Sequence, residues 1–425
     1  MALTVLFVLL AIFLILGVPV AVALGGASLA YVVLKGLPDV VVIHRMIGGI
    51  DSFPLLAIPF FILAGHLMNT GGITTKIFAF ARSLVGWLPG GLGHVNVGAS
   101  VIFAGMSGAA VADAGGLGNV EIKAMREAGY DTDFSVGITA ASSTIGPIIP
   151  PSLPLVIYGV MASVSIGELF AAGLVPGLLM AVSLMIMVAW YSWKRGYPRD
   201  GGISACRIWE TFKQAFLPLL TPVIIVGGIA AGVFTPTEAA VAAVCYALFL
   251  GLAVYRTLTW RHLVRVSMDT IITSAAILMI VASAAVFAWI LTSEQVATKL
   301  GAALLGITTN KQLLLLIMML IVLLIGLFME TIAAITILVP VLMPIAISAG
   351  IDPIHLGILL ILNLMLGLLT PPVGMVLFVL SDVSGVPFER CVRATMPFIL
   401  PLLIVLLLIT FVPEIALWLP NVVYR

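Results

Sequence analysis

Apolar segments long enough to cross a lipid bilayer follow one another along nearly the whole chain. They cover residues 1–16, 19–34, 53–70, 133–163, 168–193, 215–233, 236–256, 268–292, 353–383 and 397–418. About twenty apolar residues in helical form traverse the hydrocarbon core, where only helices and closed barrels satisfy their own backbone. The chain is therefore expected to be an all-α polytopic membrane protein with roughly ten crossings. Only 9% of its 425 residues are charged, too few to solvate a surface of this size. That excludes a soluble enzyme, a disordered chain and a nucleic-acid binder. Residues 1–34 lack the charged start of a signal peptide and read as retained in the membrane. Cys206, Cys245 and Cys391 form neither a disulfide framework nor a metal knuckle. The histidines show no HExxH and no i,i+4 pair, so neither a cofactor nor zinc is expected.

Two further apolar stretches, 91–126 and 311–349, are interrupted near their centres. The interruptions are Gly105-Met106-Ser107-Gly108 and Gly326-Leu327-Phe328-Met329-Glu330. Half-helices meeting at such a break make a re-entrant hairpin; a kinked crossing is the alternative. An amphipathic stretch precedes each, Ile73–Leu88 and Glu294–Thr309. In the first, Ile77, Phe78, Phe80, Ala81, Leu84 and Leu88 share one side, with Lys76 and Arg82 away from it. Helices of this kind lie along the membrane interface.

The halves of the chain repeat. A shift of 221 residues carries Gly105 onto Gly326, Gly129-Tyr130-Asp131 onto Gly350-Ile351-Asp352, Gly146 onto Gly367, and Pro150-Pro151 onto Pro371-Pro372. The register holds without a gap, and the matches fall on helix breakers, where chance would favour Leu, Val and Ala. Two repeats are expected, 1–213 and 214–425. Each has scaffold helices, an interfacial arm, a hairpin (about 91–126 and 311–349) and a broken helix (about 133–163 and 353–383). Basic residues cluster at Lys194, Arg195, Arg199, Arg207 and Lys213, at Arg256, Arg261 and Arg265, and at Arg390 and Arg393. The positive-inside rule places these in the cytoplasm, with Lys76, Arg82, Lys123 and Arg126 beside them. The first hairpin then opens inward and the second outward, so the repeats are inverted, as in secondary transporters. Lys35, Arg45, Lys299 and Lys311 run against this orientation.

Proline removes a backbone donor, so the Pro-Pro breaks free carbonyls that can persist only when buried or lining a cavity. A small hard cation such as Na+ suits them, and half-helix N-termini favour an anionic solute. Ser107, Ser152, Glu330, Thr331 and Thr370 can add side-chain oxygens. A carboxylate within a span is functional by default. That reading applies to Glu330 and to Asp113, with a structural hydrogen-bonding role as the alternative for Asp113. Glu238, in Thr235-Pro236-Thr237-Glu238, reads as a helix cap. The Gly105-Met106-Ser107-Gly108 run also matches the Gly-x-Ser-Gly of intramembrane serine proteases, which would need His355 as partner. The duplication argues against that, because the position paired with Ser107 is Phe328.

Six ordered motifs together resemble one family across nearly the whole chain. They are Gly17-Val18-Pro19-Val20-Ala21, Phe53-Pro54-Leu55-Leu56-Ala57-Ile58-Pro59-Phe60-Phe61, Ser107-Gly108-Ala109-Ala110-Val111-Ala112-Asp113, Pro147-Ile148-Ile149-Pro150-Pro151-Ser152, Thr235-Pro236-Thr237-Glu238-Ala239-Ala240 and Thr370-Pro371-Pro372-Val373-Gly374. The chain resembles the large membrane subunit of tripartite ATP-independent periplasmic (TRAP) transporters. The resemblance implies Na+-driven uptake of a small carboxylate-bearing solute across a bacterial inner membrane by an elevator movement. It also implies two partners, a small four-helix membrane subunit and a periplasmic substrate-binding protein. By the same resemblance one Na+ site falls at Ser107 with Gly146, Ile149 and Ser152, flanked by Gly105 and Gly108. The second falls at Gly326 with Gly367, Thr370 and Val373, beside Glu330. Transport roles are implied for Ser107, Asp113, Ser152, Glu330 and Thr331. Family members often carry a second serine where this chain has Ala109, so a side-chain contact with solute at that point is not expected. A one-component Na+/carboxylate symporter is the alternative.

Overall fold

A computed structural model describes residues 2–199, 202–308 and 310–424. Among them every regular element is helical. Three short helices come first: α1 (Ala2–Ile15), α2 (Val20–Leu34) and α3 (Val40–Ile50). The first two are 14 and 15 residues long. At 1.5 Å per residue they reach about 21–23 Å, less than the hydrocarbon core, so neither is a full crossing by itself. The third is an element that the apolar pattern did not reveal, because His44 and Arg45 interrupt it. A 3₁₀ turn over Phe53–Leu56 leads into α4 (Ala57–Thr70). The amphipathic arm is α5 (Ile73–Val85), which buries Ile77, Phe78, Phe80 and Ala81 as the pattern predicts, whereas Leu84 is exposed and Leu88 lies beyond the helix end.

The first hairpin is α6 (Gly91–Ser107) and α7 (Ala110–Glu127), turned at Gly108, whose φ of 60° lies in the left-handed region. The broken helix follows as α8 (Thr132–Ser143) and α9 (Leu153–Ala162), and then α10 (Ile166–Arg195). Next comes α11 (Ala205–Ala230), which contains a π turn over Val223–Gly227. The expected repeat boundary between residues 213 and 214 therefore cuts a helix. The stretch Lys194–Lys213 is the longest polar run of the chain and reads as a loop from sequence. From Ala205 on, its polar residues occupy one face of α11, and Trp209, Phe212 and Phe216 line the other, the first pair stacked and the second edge-to-face. Then come α12 (Pro236–Val254) and α13 (Trp260–Ser293). A capping box between Thr235 and Glu238 opens α12, the role read for Glu238 from sequence.

The second arm is α14 (Val296–Ile307), followed by the hairpin α15 (Lys311–Gly326) and α16 (Thr331–Ser348). The second broken helix is α17 (Pro353–Leu368) and α18 (Met375–Ser384), and α19 (Phe388–Phe411) and α20 (Glu414–Tyr424) close the chain. Seven described helices are long and apolar enough to cross a membrane. The count is below the ten expected because several apolar segments resolve into consecutive short helices. The same 221-residue shift lays α16 on α7, with α15 near α6 and α17 near α8.

The two halves interlock. The returning arm of each hairpin packs on the second half of the other repeat's broken helix, α7 on α18 and α16 on α9. Tyr158 of α9 reaches across to donate its hydroxyl hydrogen bond to the Pro353 carbonyl. Its ring occupies space that only a glycine leaves: a Cβ at Gly357 would lie 2.4 Å from it.

Candidate functional site

Each hairpin tip meets the break of its own repeat through the backbone. The Leu153 amide donates to the Gly108 carbonyl at 3.4 Å, and the Val373 amide donates to the Leu327 carbonyl at 3.3 Å. The two contacts sit at nearly equivalent positions of the repeats. In the first, a Cβ on Gly108 would lie 2.5 Å from the Pro151 carbonyl oxygen. In the second, a Cβ on Gly367 would lie 2.6 Å from the Gly326 carbonyl oxygen. Glycine lets backbone meet backbone here, which concentrates carbonyl dipoles that side chains would hold apart. α10 closes on the first break by the same means, since a Cβ at Gly173 would lie 2.2 Å from the Ile148 carbonyl oxygen. Thus Gly105 and Gly108 come together with 150–153, and Gly326 with Gly367 and Val373.

The side chains named from sequence divide. Ser152 is the N-cap of α9, accepting from the Leu155 amide at 3.2 Å and donating to the Pro147 carbonyl. Thr370 donates back to the Leu366 carbonyl at 2.7 Å. The Thr331 hydroxyl is buried without a hydrogen-bond partner. The Ser107 side chain lies outside the described residues. Glu330 is neither unpaired nor fully enclosed. It caps α16 from a half-buried position, accepting from the Ile332 and Ala333 amides at 2.9 and 3.2 Å. The half-charge of a helix N-terminus compensates it. Asp113 is buried in the first turn of α7, with the Ser100 side chain as its polar neighbour.

Beside the first tip lies a cavity of about 410 Å³, lined among others by His66, Asn69, Ala109, Val111, Gly116 and Thr273. It lies between the hairpin and the helices α4 and α13. Asn69 is held by the Thr74 hydroxyl at 3.0 Å. Ala109, at the N-cap of α7, offers no side-chain hydrogen bond, so the first amides of that helix are uncapped by it. His66 and Asn69 were missed from sequence, although a histidine inside the apolar span 53–70 was the available signal.

A second feature, also missed, is a buried polar network. Asn96 donates to Glu121 at 2.8 Å and to the Thr139 hydroxyl at 2.7 Å, and it accepts from Ser142 at 2.6 Å. It ties both arms of the first hairpin to the end of α8, just before the break. Its members are scattered through the sequence at ordinary helical positions. No local pattern announces them.

A duplicated helical membrane fold, whose re-entrant hairpins abut broken helices, is that of a secondary transporter. The chain belongs to the family described as tripartite ATP-independent periplasmic transporter, DctM component, which it matches over residues 7–415. It is 49% identical over 406 residues to the sialic acid TRAP transporter large permease protein SiaM of Vibrio cholerae, covering 95% of each chain. It is 38% identical over 403 residues to the 2,3-diketo-L-gulonate TRAP transporter large permease protein YiaN of Escherichia coli, again covering 95% of each. The sialic acid TRAP transporter permease protein SiaT of Haemophilus influenzae is 42% identical over 411 residues, which are 96% of this chain and 67% of that one. The crystal structure of the Alcanivorax borkumensis YdaH transporter, reported to have an unusual topology, shares the fold. Its TM-score is 0.65 at 15% identity, covering 88% of this chain and 87% of that one. The protein is a multi-pass permease of the inner membrane and not an enzyme. The protease reading falls, and the imidazole it required is committed elsewhere: buried His355 hydrogen-bonds the Ile409 carbonyl at 2.9 Å.

Proposed function

We propose that this chain is the Na+-coupled permease subunit of a three-component importer for a small anionic solute. One Na+ binds where the first tip meets its break, at Gly105, Ser107, Gly108, Gly146, Ile149 and Ser152. The other binds at Gly326, Gly367, Thr370 and Val373, with Glu330 alongside. The observation that carries this reading is the pair of backbone contacts from tip to break, Gly108–Leu153 and Leu327–Val373. Ser152 and Thr370 already spend hydroxyl protons on carbonyls, which leaves Thr370 both oxygen lone pairs, and Ser152 the one not taken by the Leu155 amide, to offer a cation.

The solute occupies the cavity at the first tip, whose volume lies within the ordinary range for small ligands. Uncapped amides of α7 face its anionic group. His66, Asn69 and Thr273 supply hydrogen bonds from the opposite wall. The relatives' names cite sialic acid, 2,3-diketo-L-gulonate, isethionate and C4-dicarboxylates, all anions at neutral pH. The unit of hairpins and broken helices moves against the remaining helices as an elevator. A small four-helix membrane subunit braces those helices, and a periplasmic binding protein delivers the solute.

Uptake into proteoliposomes holding all three components tests the reading. Uptake should require an inward Na+ gradient and rise with Na+ more steeply than first order. A hyperbolic Na+ dependence, or undiminished uptake on a proton gradient alone, overturns the two-site scheme.

A further inference from the structure

At the end of the protein remote from both tips, α8, α10 and α19 enclose a cavity of about 150 Å³. Its lining includes Asp133 and Phe134 from α8, Tyr191 and Arg195 from α10, and Arg393 and Phe398 from α19. We propose that this pocket binds the phosphate of an anionic phospholipid headgroup.

The charges around the cavity do not cancel. Asp131 is held by Arg195 at 2.7 Å and by the Tyr197 hydroxyl at 2.7 Å. Asp133 is held by Arg390 at 2.6 Å. Arg393 is exposed and makes no hydrogen bond or ion pair with any described residue. Arg195 donates to Asp131 and Tyr197 through one nitrogen, which leaves the rest of its fork open. One uncommitted guanidinium and one partly committed one thus face the same cavity. A planar guanidinium fork matches a phosphate oxygen pair better than any other side chain does.

The remaining walls suit a lipid more than a free ion. Phe134, Tyr191 and Phe398 pack together with ring centroids 5.5 to 5.8 Å apart, Tyr191 stacked on Phe398 and Phe134 angled to both, an apolar wall for glycerol and the first methylenes. The pocket also sits at headgroup depth. Trp190 and Trp193 of α10, 47% and 84% exposed, precede Arg195 by less than two turns, and Lys194 lies over the Trp190 ring. Exposed Trp residues next to Lys and Arg mark the interface between hydrocarbon and water. Basic pockets between transmembrane helices at that level take anionic lipid headgroups. A lipid seated here would fasten the start of the first broken helix to the two long helices beside it.

The test uses the full-length chain in neutral detergent, titrated with phosphatidylglycerol, phosphatidylcholine or inorganic phosphate. Thermal stability and the number of lipids retained in native mass spectrometry are the readouts. Phosphatidylglycerol should stabilise the protein and be retained, while phosphatidylcholine and inorganic phosphate should do neither. Arg393→Gln should weaken the phosphatidylglycerol response about tenfold. Arg261→Gln, which removes a charge far from the pocket, should leave it unchanged. Equal responses of the two variants, or equal protection by phosphatidylcholine, overturn the site. Protection by inorganic phosphate that Arg393→Gln abolishes overturns the lipid as its occupant. Lipid counting on Arg393→Gln protein keeps the test decisive even if that variant starts from a lower melting temperature.

Discussion

Ala109 and Glu330 stand at the same place in the two repeats, each the N-cap of the returning helix of its hairpin, 221 residues apart. Glu330 fills the amides of its helix with its own carboxylate. Ala109 leaves the corresponding amides of α7 to whatever enters the cavity in front of them. One tip thus carries a built-in anion and the other is open to a foreign one, although both descend from one duplicated segment.

Supplying the missing anion should therefore be costly to transport and favourable to the fold. Ala109→Asp is expected to raise thermal stability by about 1 kcal/mol, the worth of an N-cap. Solute uptake should fall by about tenfold, the loss of roughly 1.4 kcal/mol of binding. Melting curves and proteoliposome uptake check the pair. A stabilised variant with undiminished uptake would remove the first tip from solute recognition.

Glu330 has two separable duties, capping and transport. Glu330→Gln should lose about 1 kcal/mol of stability together with uptake, whereas Glu330→Asn, a good cap, should recover the stability alone. If uptake returns with Glu330→Asn, capping was its whole contribution.

Gly367→Ala places a methyl 2.6 Å from the Gly326 carbonyl oxygen. Separating these backbones should cost about 1–3 kcal/mol and raise the Na+ concentration needed for half-maximal uptake. Melting temperature and Na+ titration read the two effects. An unchanged Na+ dependence in the folded variant would move the second cation elsewhere.

Orientation is open to thiol labelling. Exposed Cys206 should react with an impermeant reagent from the cytoplasmic side. A cysteine at exposed Ser348, with Cys206 and Cys245 replaced by serine, should react only from the periplasmic side. Reaction of both from one side would contradict inverted repeats.

Glu294 joins α2 to the corner between α13 and α14, accepting from Lys35 at 2.7 Å and from the Tyr31 hydroxyl. The Lys35 contact first, then the Tyr31 hydroxyl, holds its carboxyl below the ordinary 4.5. A group depressed on folding contributes stability above its unfolded pKa and loses it as pH falls through the folded one. Glu294→Gln should thus melt earlier than the parent at pH 7, and the gap should close in acid below that ordinary value. A gap independent of pH would remove the ion pair as its cause.

Much of this was legible because helix breakers are rare and informative in an apolar chain. Pro150-Pro151, Pro371-Pro372 and Gly105/Gly326 located the breaks and tips and set the repeat register. Length misled where polarity did. The His44-Arg45 pair hid α3, and the one-sided polarity of Lys194–Lys213 hid the start of α11. At the candidate site, backbone chemistry could be read from proline and glycine. Tertiary chemistry could not, because Glu121 and Asn96 meet only once α6, α7 and α8 have packed. The capping by Glu330 was not read from sequence either, although its place just ahead of a helix was a signal: it accepts from the first turn of its own helix.

The crossing of α7 with α18 and of α9 with α16 bears on how the protein is made. Gly118 awaits Leu380, and the Arg126 guanidinium awaits the Ser384 carbonyl at 3.0 Å, a partner more than half the chain downstream. When the ribosome has delivered the first repeat, its hairpin can lean on α5, α8, α10 and its own break, but α7 still lacks α18. The contact of α7 with α18 cannot form until almost the last helix has been inserted, so biogenesis rather than equilibrium stability becomes the vulnerable stage. Translational stalling or truncation after α13 would release a product in which α7 lacks its α18 partner, suited to a membrane chaperone or to a quality-control protease.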